Sequence, residues 1–310
     1  MSYLLILLGL VALFFGGDYL VKGAVGLAKK FNVSTLVIGL TVVSIGTSAP
    51  ELLVSLKAAL TGVPDIAIGN VVGSNIANLA LVLGISALIF PFAVSRNVAR
   101  IDIPVMLVAT LLFWYFISDL LLSWQEGLIL VVLLIFYTIF LFINSKRQEK
   151  TEEEKEEANK QSFFASLGFV IAGSVALVFG ADWLVTGASE VARELGVSDH
   201  IIGVTIVAFG TSVPELVTSI TAAIRKETDI SIGNLVGSNI FNICAILGIT
   251  SLVTEIPVNP IVLKMDIFWV FGISLMILPF VLHKFKIHRF KAAIFLVSYF
   301  VYLYFVFLAR

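Results

Sequence analysis

Long apolar segments alternate with short polar ones along nearly the whole chain. No charged residue interrupts positions 66–95, 128–143 or 230–254. A helix that crosses the hydrocarbon core of a bilayer needs about 20 mostly apolar residues. The pattern predicts ten such spans, at residues 2–28, 33–60, 65–90, 101–118, 124–144, 162–189, 198–224, 229–253, 262–282 and 290–309. We expect an all-α integral membrane protein, because open strands leave backbone groups unpaired in lipid.

Composition excludes several classes of protein. The chain has 310 residues, of which 59% are hydrophobic and 13% are charged. Soluble domains average about 45–50% hydrophobic residues and about 25% charged residues. A net charge of −1 provides no basic surface for nucleic acid. The single cysteine, Cys244, excludes an intrachain disulfide. No motif for a cofactor or for an enzyme active site is present, so we expect neither.

The second half of the chain repeats the first at a constant offset of 164 positions. The segment GGDYLVKGA, which begins at Gly16, corresponds to GADWLVTGA, which begins at Gly180. The segment GTSAPE, which ends at Glu51, corresponds to GTSVPE, which ends at Glu215. Matches of this length without a gap indicate an internal duplication.

The duplication predicts the domain organisation. Residues 1–143 form a first repeat of five spans, residues 144–161 a charged linker, and residues 162–310 a second repeat of five spans. Because five is odd, the second repeat enters the membrane from the opposite face. Such inverted repeats are typical of secondary transporters.

The distribution of basic residues predicts the orientation. The predicted face that carries the linker holds 16 of the 20 Lys and Arg residues. Since cytoplasmic loops are enriched in Lys and Arg, we expect a cytoplasmic linker, both termini outside, and a location in the cell (inner) membrane.

The second and seventh spans each contain a glycine and a proline in mid-segment. Proline removes an N–H and clashes with the carbonyl four residues back, which here belongs to Gly46 or Gly210. Each span should therefore kink or unwind and make carbonyls and Thr or Ser hydroxyls available. Glu51 and Glu215 follow the prolines directly, and ionisable residues at such depth are usually functional. The alternative is a protonated glutamate that only bonds neighbouring helices.

The third and eighth spans carry matched polar residues. Ser74 and Asn78, like Ser238 and Asn242, are four residues apart and share a helix face. They are either ligands or hydrogen-bonding groups between helices. The other asparagines of these segments are expected to be structural: Asn70, Asn75, Asn234 and Asn239.

These side chains offer only hard oxygen donors, without imidazole or thiol. Ca²⁺ prefers about six to eight oxygens, and two carboxylates would neutralise its charge. When no cation is bound, the negative charge of carboxylates in a low-dielectric site must be compensated by cations or protons before the site can close. A carrier that moves only when loaded is an exchanger.

At GTSAPE with GSNIAN, and GTSVPE with GSNIFN, the sequence resembles the cation/calcium exchanger superfamily, and most of all its prokaryotic sodium/calcium antiporters. The resemblance implies that the second, third, seventh and eighth spans form a core and that the first and sixth slide across it. It implies a central Ca²⁺ site on Glu51 and Glu215 with backbone oxygens of Thr47 and Thr211, and asparagines Asn78 and Asn242 between the glutamates. It also implies flanking Na⁺ sites at Ser48, Ser74 and the Ser44 carbonyl, and at Ser212, Ser238 and the Ala208 carbonyl.

Some relatives carry Asp at the position of Asn242. Because this chain has Asn there, K⁺ co-transport is less expected. We expect an electrogenic antiporter in which the Na⁺ gradient drives Ca²⁺ extrusion. Its expected partners are the two ions and the lipid bilayer. We expect it to be a monomer or a loose oligomer. H⁺/Ca²⁺ exchange on the same scaffold is the alternative, and a cation channel is less favoured.

Overall fold

The computed structural model describes residues 1–145, 162–197, 208–282 and 285–308. Within these ranges the protein is nearly all helical, and eight helices are long and apolar enough to cross a membrane. The elements are α1 (Ser2–Phe31), α2 (Thr35–Thr47), α3 (Ala49–Leu60), α4 (Pro64–Ile89), β1 (Phe92–Ala93), α5 (Val98–Asp119), β2 (Leu121–Leu122), α6 (Trp124–Ser145), α7 (Phe163–Glu194), α8 (Ala208–Gly210), α9 (Val213–Ile224), α10 (Thr228–Val253), β3 (Ile256–Pro257), α11 (Val262–Leu282), β4 (Lys286–Ile287) and α12 (Arg289–Leu308).

Eight of the predicted spans correspond to single helices, and the pair α2 and α3 is a candidate for a ninth. The predicted span at 198–224 begins outside the described residues, which contain only α8 and α9 from it. Most of the predicted linker also lies outside them. The tenth span therefore stays a prediction.

The two predicted interruptions are present, and their backbones match. Ser48, between α2 and α3, has φ −90° and ψ 7°, and Ser212, before α9, has φ −89° and ψ 1°. Pro50 and Pro214 lie in the first turn of the helix that follows, where a missing N–H costs no intrahelical hydrogen bond. The repeated GTSxPE sequence thus stops one helix and starts the next.

The chain forms two compact units, of which unit 1 comprises Met1–Pro50 and Leu141–Asn234. Its longest helices, α1 and α7, run antiparallel, since Gly9 of α1 lies against Leu184 and Gly23 against Val170. Glycines recur every seven residues on both helices, at positions 9, 16 and 23 and at positions 173, 180 and 187. They allow the two backbones to approach closely.

Unit 2 comprises Glu51–Phe140 and Leu235–Arg310, and it contains α4 and most of α10. In the apolar stretch of each of these two helices 78% of residues are buried, against 17–44% in the other six long helices. The core of the unit is therefore built on the helices that carry the repeated asparagines.

Two short antiparallel sheets occupy opposite ends of α5 in unit 2. β1, which follows α4, pairs with β4, while β2 pairs with β3, which follows α10. Because α5 separates β1 from β2, the C-terminal ends of α4 and α10 lie at opposite ends of the unit.

Candidate ion-binding site

In unit 1 Ser48, at the interruption between α2 and α3, contacts Glu215 of α9. Ser48 Oγ donates a hydrogen bond to Glu215 Oε1 at 3.0 Å, and both residues are 0% exposed. Glu215 Oε2 is buried and has no hydrogen-bond partner among the residues that the structure describes. A buried carboxylate oxygen without a partner is costly, so this atom is suited to bind a cation or a proton.

Asn234 joins the end of α2 to α9 within unit 1. Its Oδ1 accepts a hydrogen bond from Thr47 Oγ1 at 3.0 Å, and its carbonyl accepts one from Ser44 Oγ at 3.1 Å. Its amide nitrogen donates to Ser219 Oγ at 3.3 Å. Asn234 therefore fixes two of the predicted site residues, Thr47 through its side chain and Ser44 through its backbone carbonyl, relative to the helix that carries Glu215.

The remaining predicted residues of unit 1 lie around the second interruption. Ala208 is the first residue of α8, and Thr211 is half-buried between α8 and α9. Ser212 is buried, and its hydroxyl has no partner within the described ranges. Its position corresponds to that of Ser48 in the first repeat.

In unit 2, Glu51 is fully buried in the first turn of α3. The Asn70 amide nitrogen donates to the Glu51 carbonyl at 3.1 Å and to Ser55 Oγ at 2.9 Å. Asn70 and Ser55 are the repeat equivalents of Asn234 and Ser219, so the same asparagine–serine contact occurs in both repeats. In each, it ties a glutamate-bearing helix to the helix that follows it.

The four predicted residues on α4 and α10 are all buried in unit 2: Ser74, Asn78, Ser238 and Asn242. Both asparagines lie in π-helical turns, at Ala77–Val82 and Asn242–Leu247, a geometry frequent at functional sites. Asn242 Nδ2 donates to Asn75 Oδ1 at 3.0 Å. Its Oδ1, like both polar atoms of the Asn78 amide, has no partner in the described part of the chain.

A sequence model of the family described as sodium/calcium exchanger protein matches residues 1–143 and 165–308. Over 318 residues the chain is 37% identical to sodium/calcium exchanger MaX1 of Methanosarcina acetivorans, with 90% of this chain and 91% of that protein covered. The chain belongs to the sodium/calcium exchanger protein family.

The chain is also similar to a membrane protein of Escherichia coli and to a solved exchanger structure. Inner membrane protein YrbG of Escherichia coli is 34% identical to this chain over 272 residues, and the match covers 84% of this chain and 83% of the E. coli protein. A solved structure of the sodium-calcium exchanger NCX_Mj, soaked with 10 mM Na⁺ and zero Ca²⁺, matches with a TM-score of 0.85 at 36% identity and covers 97% of both chains.

Family membership confirms the resemblance drawn from the GTSxPE and GSN motifs. It also establishes a multi-pass integral membrane protein, in a family of exchangers rather than enzymes. The ligand roles of the individual residues stay predictions, since they rest on the resemblance and on the geometry within each unit.

The sequence did not predict the contacts that Asn70, Asn75 and Asn234 make with site residues. From the sequence these asparagines are expected to be structural. The available signal was that Ser55 and Asn70 recur together as Ser219 and Asn234. A polar pair kept in both copies of an apolar segment indicates a specific contact.

Proposed function

We propose that the protein exchanges Na⁺ for Ca²⁺ across the cell membrane by alternating access, with Glu51 and Glu215 as the carboxylates that bind Ca²⁺. The observation that carries this proposal is the complete burial of both glutamates, each 0% exposed, at equivalent positions directly after a helix interruption. Burial of an ionisable group at membrane depth is expensive and indicates function. Two such groups at repeat-equivalent positions supply the charge that one Ca²⁺ neutralises.

Oxygen donors around the carboxylates complete the proposed ligand set. The carbonyls of Thr47 and Thr211 add to the Ca²⁺ site, with Asn78 and Asn242 beside it. The flanking Na⁺ sites use Ser48, Ser74 and the Ser44 carbonyl, and Ser212, Ser238 and the Ala208 carbonyl. Support comes from burial of the five serines and two asparagines, and from buried oxygens of Glu215, Ser212 and Asn242 that lack a partner within the described ranges.

The proposed architecture has ten spans in two inverted repeats, residues 1–143 and 162–310, joined by a linker. Two observations support inversion. The equivalent helices α1 and α7 run antiparallel in unit 1, and in unit 2 the equivalent ends of α4 and α10 carry strands of different sheets, at opposite ends of α5. Helices related by inversion have these opposed directions.

We place the linker in the cytoplasm and both termini outside, because the basic residues concentrate on the linker side. A location in the inner membrane is supported by the related E. coli protein, which is named inner membrane protein YrbG.

Exchange follows from charge compensation. Without a bound cation, two buried carboxylates disfavour closure of the site, so the carrier reorients only with Ca²⁺, with Na⁺ or with protons bound. If three Na⁺ replace one Ca²⁺, one net charge crosses in each cycle, which is worth about 2.3 kcal/mol per 100 mV. An inward Na⁺ gradient would then drive Ca²⁺ extrusion.

The test is Ca²⁺ uptake into proteoliposomes loaded with Na⁺, without a pH gradient. We expect uptake that depends on the outward Na⁺ gradient and that responds to membrane potential. Uptake driven only by a pH gradient would assign H⁺/Ca²⁺ exchange instead. Conduction of ions without exchange would assign a channel.

Carboxylate variants test the site in the same assay. Glu51→Gln and Glu215→Gln should each abolish Na⁺-driven Ca²⁺ uptake, because each removes a charge that neutralises Ca²⁺. Glu194→Gln is the matched control, since Glu194 is exposed at the end of α7. Undiminished flux in both site variants would refute the proposed site.

A further inference from the structure

A small polar cavity opens between α4, α11 and α12 in unit 2, away from the residues proposed to bind ions. Its volume is about 80 Å³, and the residues that line it include Gly69, Asp266, Tyr302 and Val306. Asp266 and Tyr302 are half-buried. A Cβ atom built at Gly69 would meet no heavy atom within 4 Å, so glycine leaves this side of the cavity open. The cavity therefore presents a carboxylate and a phenol to a ligand that can enter it.

An apolar groove continues from this polar cavity along the same two helices. Its volume is about 340 Å³, and its lining includes Trp269 and Gly272 of α11 and Ser298 of α12. Ser298 and Tyr302 are four residues apart on α12 and share a helix face, as do Asp266 and Trp269 on α11. The ring centroids of Trp269 and Tyr302 lie 5.8 Å apart. The indole therefore joins the wall of the groove to the wall of the cavity.

The positions of these residues along their helices match the layers of a bilayer. Asp266 is the fifth residue of α11, and Tyr302 is six residues from Leu308 at the end of α12. At 1.5 Å per residue, both lie within about 10 Å of a helix end, the depth at which tyrosine is enriched in membrane proteins. Phe268, which also lines the groove, is 55% exposed. The cavity thus lies at headgroup depth, and the groove extends from it towards the acyl chains.

The first repeat encloses the equivalent carboxylate instead. Asp102 corresponds to Asp266 at the offset of 164 positions. It is 1% exposed, and it accepts a hydrogen bond from Tyr137 Oη at 2.7 Å. Val108 stands at the position that corresponds to Gly272. The fold therefore accommodates this aspartate without a cavity, and the accessible carboxylate is a property of the second repeat.

We propose that the polar cavity and the apolar groove together bind one phospholipid whose headgroup carries a primary ammonium group. The ammonium group donates hydrogen bonds to the Asp266 carboxylate and the Tyr302 hydroxyl, and an acyl chain lies along Trp269 and Gly272. A partly buried carboxylate attracts a cationic headgroup and repels one that carries only negative charge. A quaternary ammonium group has no N–H to donate, so charge and hydrogen bonding together favour the primary amine.

The experiment measures lipid binding to the full-length protein in detergent micelles by native mass spectrometry. Phosphatidylethanolamine, phosphatidylcholine and phosphatidylglycerol with identical acyl chains are added in turn. We expect the affinity for phosphatidylethanolamine to exceed the other two by about tenfold, the value of a hydrogen bond to a charged group. Asp266→Asn should remove this preference. Glu255→Gln is the matched control, because it neutralises an exposed carboxylate next to β3 in the same unit and should keep the preference.

A second variant tests the groove independently of the carboxylate. A Cβ atom built at Gly272 would meet no heavy atom within 4 Å, so Gly272→Val fills the groove without a backbone clash and introduces the residue found in the first repeat. It should lower the affinity for phosphatidylethanolamine by about fivefold, because it displaces part of the acyl chain from apolar contact. Binding of soluble ethanolamine, which has no acyl chain, should not change. If Asp266→Asn is not recovered in folded form, this variant decides the test.

Equal wild-type affinity for the three lipids, or a preference that survives Asp266→Asn, would overturn the inference. Unchanged lipid affinity in Gly272→Val, with displacement of the lipid by soluble ethanolamine, would assign the cavity to a free amine and overturn the lipid site. Because binding is measured without transport, these outcomes are independent of which ions are exchanged and of the direction of exchange.

Discussion

Replacing Gly173 by alanine would test whether close backbone contact between α1 and α7 stabilises unit 1. A Cβ atom built at Gly173 would lie 2.5 Å from Leu20 N and 2.8 Å from the Gly16 carbonyl oxygen. Ordinary van der Waals contacts of carbon are about 3.5–4.0 Å. The helices would have to separate by roughly 1 Å, because backbone atoms cannot rotate out of the way.

The expected magnitude combines two opposing effects. Inserting a methyl group into a close-packed contact typically costs about 1–3 kcal/mol. Alanine is favoured over glycine inside a helix by about 1 kcal/mol, which offsets part of this cost. We therefore predict that Gly173→Ala lowers the free energy of unfolding by up to about 2 kcal/mol.

Gly168, five residues earlier in the same helix, provides the matched control. A Cβ atom there has no heavy atom within 4 Å, so Gly168→Ala gains helix propensity without a clash. Its stability should equal or exceed that of wild type by up to about 1 kcal/mol. The assay is reversible unfolding in mixed detergent micelles, followed by circular dichroism. Equal unfolding midpoints for the two variants would refute the close-contact argument.

Three further substitutions have defined expectations. Tyr137→Phe removes the 2.7 Å hydrogen bond to buried Asp102 and should lower the free energy of unfolding by about 1–3 kcal/mol. Asn234→Ala removes the side chain that links α2 to α9 and should raise half-saturating Ca²⁺ in the flux assay by about fivefold. Arg225→Gln removes the ion pair with Asp18, whose side chains are 40% and 32% exposed, and should cost less than about 1 kcal/mol, an effect that high salt removes.

Each of these has a control. Tyr115→Phe, at a side chain that is 73% exposed, should leave unfolding unchanged, and an equal loss in both tyrosine variants would contradict a specific Asp102 contact. Asn97→Ala, at an exposed position, should leave Ca²⁺ affinity unchanged. For Arg225→Gln, a loss that persists in high salt would mean that the side chain acts through packing.

Much of the fold follows from local sequence. The apolar segments predict the membrane helices, and Pro50 and Pro214 predict the interruptions at Ser48 and Ser212, because proline acts on the backbone within one turn. The duplication places Glu51 and Glu215 at equivalent positions of the two repeats. These features depend only on hydrophobic transfer, chain length and residues close in sequence.

Tertiary structure alone decided which side chains meet. Ser48 contacts Glu215 and Thr47 contacts Asn234, across separations of 167 and 187 positions, and Asn75 contacts Asn242. Helices that are apolar on nearly every face carry little directional information in their sequence, so their rotation and register are set by packing between backbones at small residues. The sequence therefore determined which chemical groups enter the membrane, and the packing of the helices determined how those groups pair.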